Sequence, residues 1–281
     1  MAAADFLFFN GKMLREGSPV LSADNRSFRF GDGCFETIQV AGGRILLFPY
    51  HMERLFRSLE LLRFDVPVHF DSAYLQEHIL QLARKNGHNG RTRIRLTIFR
   101  GNGGLYDPEN HYPNHVIQSW ELPDQWEMNQ NGLVTGIFPD ARRSCDLYSP
   151  LKHNNYLPNA MAALWAKENR LNEAFLLNPY NRIADATIAN VFVVKNGSVL
   201  TPALSEGAVN GVMRRYLLEQ LHKEGIPVAE GQLTAEHLFD ASEVFLTNAI
   251  SGIRWVQQAG QSAYGNELSA FLFNKFIAGG L

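Results

Sequence analysis

Residues 91–100 constrain the fold of the first part of this chain more than any other segment. Polar and apolar side chains alternate there without interruption, in the order Arg93, Ile94, Arg95, Leu96, Thr97 and Ile98. Successive side chains of a β-strand point to opposite faces of its sheet, so this alternation is typical of a strand with one buried face. We therefore predict a half-buried strand over residues 91–100.

The neighbouring segments predict two hairpins and two helices. Strand-forming residues flank an Asn10-Gly11 turn within residues 6–13, and they flank a Gly42-Gly43 turn within residues 34–48. Apolar residues recur at spacings of three and four over residues 51–63 and 73–85, which predicts two amphipathic helices. The first part of the chain is therefore expected to be an α+β domain.

A polar segment at residues 121–132 separates this part from the rest of the chain. It contains Pro123 and an Asn131-Gly132 turn signal and has no clear periodicity. A chain of 281 residues also exceeds the usual size of one core. We predict a smaller N-terminal domain at 1–120, an interdomain linker at 121–132 and a larger C-terminal domain at 133–281. In the C-terminal domain the patterns predict helices at about 158–168 and 211–224, and strands at 173–177, 189–194 and 243–246.

The composition favours a globular protein that acts on small molecules. Apolar residues make up 46% and charged residues 19%, and the formal net charge of −2 argues against a surface for nucleic acid or anionic lipid. Cys34 and Cys145 lie far apart, and the histidines lack metal-ligand spacing, so neither a disulfide framework nor a metal site is expected. Residues 1–10 lack the basic start of a signal peptide, so the expected location is the cytoplasm.

Three segments of the second half could together bind pyridoxal phosphate. Lys152 offers an amine for the cofactor's aldehyde, and Asp185 offers a carboxylate for its ring nitrogen. The third segment, Asn210-Gly211-Val212-Met213-Arg214, is predicted to begin a helix, whose free amide groups can bind a phosphate. The combination predicts an enzyme.

Each of these features has a simpler explanation when it is taken alone. Most lysines are solvated surface charges, an aspartate such as Asp185 often closes a turn, and most helix starts bind nothing. Arg54 follows His51 by one helical turn, where it could be an exposed arginine or could reach a phosphate. The argument therefore depends on the combination of these features.

Motifs spread over residues 30–249 resemble those of the class IV, fold-type IV pyridoxal phosphate enzymes. They are Phe30-Gly31-Asp32-Gly33-Cys34-Phe35-Glu36-Thr37, His51-x-x-Arg54-Leu55, Arg100-Gly101, Lys152-x-x-Asn155-Tyr156-Leu157, Ala189-Asn190-Val191-Phe192, Thr201-Pro202, Asn210-Gly211-Val212-Met213-Arg214 and Thr247-Asn248-Ala249. The resemblance implies a two-domain α+β / α/β fold with the cofactor between the domains, and a homodimer.

The resemblance also implies roles for individual residues. Lys152 would bind the cofactor covalently and move the substrate proton, and Asp185 would stand where the family usually has a longer glutamate. The phosphate would be held by Arg54, by the amides of Val212 and Met213, and by the Asn248-Ala249 segment. Three residues are the candidates for contact with the substrate, with Arg100 as the cation for a carboxylate: Phe35, Arg100 and Tyr156.

The family comprises branched-chain aminotransferases, D-amino acid aminotransferases and 4-amino-4-deoxychorismate lyases. Tyr156 lies four residues beyond Lys152, which resembles the lyases more than the branched-chain enzymes. The segments at 210–214 and 247–250 also resemble the lyases, and Phe35 replaces a tyrosine typical of the D-amino acid enzymes. We therefore expect a lyase that forms 4-aminobenzoate and pyruvate for folate biosynthesis. The alternatives are an aminotransferase and a non-catalytic descendant that binds the cofactor.

Overall fold

The computed structural model of the chain describes residues 5–106, 110–279 and 281. The first four residues of the N-terminal segment considered above lie outside this range. The chain divides into two compact units. The first unit comprises Met1–Gln125 and Leu151–Asn155, and the second comprises Trp126–Pro150 and Tyr156–Leu281. The first change of unit therefore falls inside the predicted linker, and a short segment that contains Lys152 returns to the first unit.

The first unit alternates strands with three helices among its described residues. Its elements are β1 (Phe6–Phe9), β2 (Lys12–Arg15), α1 (Arg26–Phe30), β3 (Gly33–Ala41), β4 (Arg44–Ile45), α2 (Phe48–Leu61), α3 (Ser72–Lys85), β5 (Thr92–Phe99) and β6 (Asn114–Glu121). In the described part of this unit the strands form one antiparallel sheet in the order β2-β1-β6-β5-β3-β4. The predicted strand at 91–100, both hairpins and both amphipathic helices are confirmed, although α2 begins at Phe48.

One face of this sheet carries the core of the first unit. Ile94, Leu96 and Ile98 are fully buried and pack with apolar residues of α2 and α3, such as Leu55 and Ile79. The alternation that predicted β5 thus places its arginines on the other face of the sheet.

The second unit is built around a larger mixed sheet. Its elements are β7 (Leu133–Arg142), α4 (Leu157–Glu168), β8 (Glu173–Leu177), β9 (Ile183–Ala186), β10 (Asn190–Lys195), β11 (Ser198–Pro202), a 3₁₀ turn (Leu204–Glu206), α5 (Val212–Lys223), β12 (Val228–Gly231), α6 (Ala235–Phe239), β13 (Glu243–Asn248), β14 (Gly252–Ala259), β15 (Ser262–Ala263), α7 (Glu267–Phe273) and a π-helical turn (Asn274–Ala278). The described strands follow the order β12-β11-β10-β13-β14-β7-β8-β9, and β15 pairs with β14.

The predicted elements of the second unit are confirmed with shifts of one or two residues at their ends. Several strands were not predicted, among them β7, β12 and β14. β14 pairs in parallel with β7, which lies far from it in the sequence. A strand that depends on such distant pairing carries a weak local signal, because its side chains pack against residues that the sequence does not place nearby.

Within the described residues, no helix combines the length and the apolar character that a membrane span needs.

Protonation of His115 is expected to destabilise the first unit. His115 is buried on β6, and burial, with a smaller effect of His78, lowers its pKa from 6.5 to about 4. A histidine whose pKa is lower in the folded state stabilises the fold above pH 6.5, and this contribution is lost as the pH falls from 6.5 to about 4. We expect a loss of up to about 3 kcal/mol over that range. Urea unfolding of the wild type and of His115→Gln at pH 4 to 7 measures this loss of stability. The variant should lose less stability than the wild type over that range, and equal losses would contradict the prediction.

Candidate active-site residues

Residues 151–155 extend the first unit's sheet beside the beginning of β3. The amide of Phe35 donates to the carbonyl of Lys152 at 2.8 Å, and the amide of Asn154 donates to the carbonyl of Gly33 at 3.0 Å. A side chain at position 33 would lie 2.2 Å from the carbonyl oxygen of Ile98, so only glycine fits there. The backbone of Lys152 is therefore fixed by strand-like hydrogen bonds.

The side chain of Phe35 brings two cations together. The Nζ of Lys152 lies 4.5 Å from the centre of the Phe35 ring. The guanidinium carbon of Arg95 lies 3.8 Å from the same centre, and its Nε donates to the Thr97 hydroxyl at 3.3 Å. Phe35 and Arg95 are on neighbouring strands, so the pairing of β3 with β5 creates this arrangement. A positive charge near a lysine favours the neutral amine that attack on an aldehyde requires.

Arg54 belongs to a buried charge network instead of a solvated helix face. Its Nε and Nη2 donate to the two oxygens of Glu36 at 2.8 Å and 2.5 Å. The Nδ1 of His51 lies 2.7 Å from the same carboxylate. All three residues are buried. Glu36 thus fixes the side chain of Arg54, which the sequence suggested as a phosphate ligand, together with that of His51.

Glu36 remains ionised despite its burial. Burial alone would raise its pKa, but the Arg54 guanidinium and the hydrogen bond from His51 outweigh burial and lower the pKa to about 2. For His51, burial is the largest effect and lowers the pKa, although Glu36 acts in the opposite direction. Ionised Glu36 therefore balances the charge of Arg54 within the core of the first unit.

Arg100 is engaged within the protein itself. Its Nη1 donates to Asp32 at 2.6 Å, and its Nη2 donates to the carbonyl oxygens of Leu62 and Arg63. Its guanidinium also stacks on the ring of Phe64 at 4.4 Å. These contacts favour a structural role, so Arg95 is the better candidate for a substrate carboxylate. The sequence signal for Arg95 was the alternation of β5, which set it on the face opposite the core.

In the second unit, Asp185 lies on β9 and is buried. Its Oδ1 accepts a hydrogen bond from the side-chain amide of Asn190 at 3.0 Å, and its Oδ2 accepts one from the backbone amide of Val209 at 3.0 Å. The interpretation of Asp185 as the end of a simple turn is therefore wrong, because it lies on a strand and its carboxylate is held by defined donors.

The amides of Val212 and Met213 belong to the first turn of α5. Gly211 precedes the first helical residue, and no described side chain caps this helix end. The first amides of an uncapped helix are suited to bind an anion.

On β13, the Asn248 side chain accepts hydrogen bonds from the amides of Ile250 and Ser251, which shapes the turn that includes Ala249. Tyr156 is half-buried and precedes α4.

Most of this chain matches a single protein family. A family model described as Amino-transferase class IV matches residues 33–259. The chain belongs to the class IV aminotransferase family. Enzymes of this family depend on pyridoxal phosphate, so this class IV protein is a pyridoxal phosphate-dependent enzyme. The predicted family, enzyme class and cofactor are therefore confirmed.

Similar proteins include both lyases and aminotransferases. An aminodeoxychorismate lyase of Vibrio harveyi is 32% identical over 247 residues, which cover 87% of this class IV enzyme and 88% of the relative. A putative branched-chain aminotransferase of Methanocaldococcus jannaschii is 28% identical over 248 residues, covering 88% and 85%. The branched-chain aminotransferase structure of Thermoproteus uzoniensis superposes with a TM-score of 0.87 at 22% identity, covering 98% and 95%. The predicted two-domain class IV fold is thereby confirmed.

The described residues of this class IV enzyme fit the cofactor chemically. The hydroxyl of Thr247 is buried and has no hydrogen-bond partner among the described residues, although a buried hydroxyl normally has one. Thr247 is paired across the sheet with Asn190, whose amide binds Asp185. A buried hydroxyl without a partner, on the strand paired with Asn190, indicates that a polar ligand completes this part of the second unit.

Proposed function

We propose that this enzyme is a 4-amino-4-deoxychorismate lyase, which forms 4-aminobenzoate and pyruvate. The observation that carries the proposal is the 32% identity to an aminodeoxychorismate lyase along almost the whole of both chains. The motif details at Tyr156 and at residues 210–214 support the same choice. The runner-up is a branched-chain or D-amino acid aminotransferase, which the 28% identity to a putative branched-chain enzyme favours.

In this proposal the residues have separate tasks. When bound, pyridoxal phosphate supplies an aldehyde for the substrate amine and a ring that withdraws electrons from the amine-bearing carbon. Lys152 would hold the cofactor through its Nζ, and once free its Nζ would take the proton from the amine-bearing carbon of the substrate, so that the C–O bond to the departing pyruvate group can break. Asp185 would face the ring nitrogen. Arg54, the amides of Val212 and Met213, and the Asn248-Ala249 segment would hold the phosphate.

The substrate position is proposed from the side chains around Phe35. The Phe35 ring packs against Lys152 and Arg95, so a substrate whose amine reaches Lys152 comes close to a guanidinium. Aminodeoxychorismate carries carboxylates, and Arg95 is suited to bind one with two parallel hydrogen bonds. Tyr156 is proposed to contact the substrate as well.

Replacing Arg95 with glutamine should weaken substrate recognition. A hydrogen bond to a charged group contributes about 1.5–3 kcal/mol, so we expect kcat/KM to fall about 10- to 100-fold, mainly through KM. Steady-state kinetics with aminodeoxychorismate measure the effect. Arg93→Gln is the matched control, because Arg93 lies two residues earlier on the same face and stacks on Trp120 at 5.3 Å. Equal losses in both variants would contradict a specific role for Arg95.

A product assay separates the proposal from its runner-up. Purified enzyme loaded with pyridoxal phosphate is mixed with aminodeoxychorismate, and 4-aminobenzoate and pyruvate are measured. Equal amounts of both products establish the lyase. If neither appears, and branched-chain or D-amino acids convert the cofactor to pyridoxamine phosphate, the enzyme is an aminotransferase. If neither reaction occurs, both candidate activities are excluded, and a cofactor absorbance that no amine changes would favour the non-catalytic descendant.

We also infer from the family resemblance that the enzyme forms a homodimer and acts in the cytoplasm. The subunit mass is 31.7 kDa, so light scattering should give about twice this mass for a dimer. A monomer mass at assay concentration would contradict the inference.

A further inference from the structure

The side chain of Asn190 connects two parts of the second unit that the proposed function treats separately. Its Nδ2 donates to Oδ1 of Asp185 at 3.0 Å and to the carbonyl oxygen of Val209 at 2.8 Å. The amide of Val209 donates in turn to Oδ2 of Asp185 at 3.0 Å. Asn190 is 5% exposed and Asp185 is 3% exposed, so solvent does not substitute for these bonds.

The same side chain determines which residue can precede α5. A Cβ atom at position 211 would lie 1.9 Å from Oδ1 of Asn190. Gly211 has a φ of −64°, which any residue can adopt, so the requirement for glycine is one of space. Asn190 therefore packs directly against the residue from which α5 begins, while its amide holds Val209 two residues earlier.

Asp185 is one methylene shorter than the glutamate usual at this position in the family, so its reach depends more on how its carboxylate is held. Each oxygen of Asp185 accepts a hydrogen bond, one from Asn190 and one from Val209. Two donors favour the charged form of a buried carboxylate and fix its orientation.

We propose that Asn190 is a positioning residue that holds Asp185 charged and oriented toward the ring nitrogen of pyridoxal phosphate, and that anchors the 209–211 segment from which α5 presents its amides to the phosphate. The side-chain amide of Asn190 thus positions both the carboxylate at the ring nitrogen and the segment at the phosphate. The proposal rests on the assignment of Asp185 to the ring nitrogen, and it is independent of whether the reaction is elimination or amino transfer.

The test measures the protonation of the ring nitrogen directly. Enzyme is loaded with pyridoxal phosphate labelled with ¹⁵N in the ring, and the ¹⁵N chemical shift is followed against pH. Asn190→Ala removes the amide donor to Asp185 and adds no charge. We expect the ring nitrogen to lose its proton at a pH at least about one unit lower than in wild type, because a buried carboxylate that loses a hydrogen-bond donor is less stable in its charged form and supports the protonated ring less. We also expect the Kd for the cofactor to rise at least about tenfold.

Asn178→Ala is the matched control. Asn178 is fully buried in the same unit, and its Nδ2 donates to the Glu206 carboxylate at 2.8 Å. The control therefore removes the same amide donor from another buried carboxylate, and the ring nitrogen should titrate as in wild type. If Asn190→Ala does not fold, Asn190→Ser replaces the amide with a shorter hydroxyl side chain, and a smaller shift in the same direction is expected.

The possible outcomes distinguish the assignment of Asp185 to the ring nitrogen from the positioning role of Asn190. If Asp185→Asn leaves the ¹⁵N titration unchanged, Asp185 does not act at the ring nitrogen and the assignment fails. If Asp185→Asn shifts the titration but both Asn190 variants match wild type, or if Asn178→Ala shifts it equally, the positioning role of Asn190 is overturned. Neither readout involves the substrate, so failure of the proposed lyase reaction would be recognised separately by the product assay.

Discussion

Replacing Lys152 with alanine should lower the rate of 4-aminobenzoate formation roughly 10³- to 10⁴-fold, because the variant loses both the covalent link to the cofactor and the group that moves the substrate proton. The absorbance of the bound cofactor should also change to that of the free aldehyde. Product formation under saturating substrate measures the rate, and a spectrum of the dialysed protein measures the link.

The exposed Lys167 on α4 provides the control for this substitution. Lys167→Ala should keep the wild-type rate and spectrum. Added methylamine should restore part of the activity of Lys152→Ala if the lysine acts by moving a proton. A Lys152→Ala protein that retains more than about a tenth of the wild-type rate would exclude Lys152 as the essential amine.

Replacing Glu36 with glutamine should destabilise the cofactor-free protein by about 3 kcal/mol or more, because the Arg54 guanidinium would remain buried without a counter-charge. Urea unfolding near pH 7 measures the loss. Folding lowers the pKa of Glu36 from its usual 4.5 to about 2, so the contribution of Glu36 to stability is present above pH 4.5 and is lost as the pH falls toward 2.

An exposed ion pair on α2, the helix that carries Arg54, serves as the comparison. The Nη1 of Arg57 lies 2.5 Å from Oε2 of Glu60, and the two side chains are 61% and 68% exposed. Glu60→Gln should change the free energy of unfolding by no more than about 0.5 kcal/mol, because solvent screens such a pair. If the two glutamine variants lost similar stability, the burial of the Glu36 network would have no energetic consequence.

The sequence predicted those parts of the fold that have a local pattern. β5 was predicted from alternation, α2 and α3 from spacings of three and four, and the hairpin β1–β2 from Asn10-Gly11, whose residues adopt the positive φ angles that the turn requires. The return of residues 151–155 to the first unit has no local pattern, since it depends on hydrogen bonds to β3, more than a hundred residues earlier.

The sequence predicted which chemical groups the candidate site contains, but it did not predict which neighbouring residues hold those groups in place. Lys152, Asp185 and the start of α5 came from motifs, whereas the partners of these groups depend on strand and helix packing. Glu36 was quoted only as part of a motif, yet a charged residue inside the apolar run of β3 is itself a signal, because a buried carboxylate needs a cation. The sequence suggested Arg100 as the cation for a substrate carboxylate, and it does not show that Asp32 and two carbonyl oxygens bind this side chain.

The crossing of residues 151–155 into the first unit limits how this protein can be divided. The polypeptide changes unit after Gln125, after Pro150 and again after Asn155, so neither unit corresponds to one continuous stretch of the gene. A fragment that stops at the linker would lack residues 151–155, which border the start of β3, and would expose the backbone groups of Phe35 and Gly33. During synthesis, the first unit can be completed only after the ribosome has translated part of the second, and recombination at the linker would separate Lys152 from the sheet that holds it.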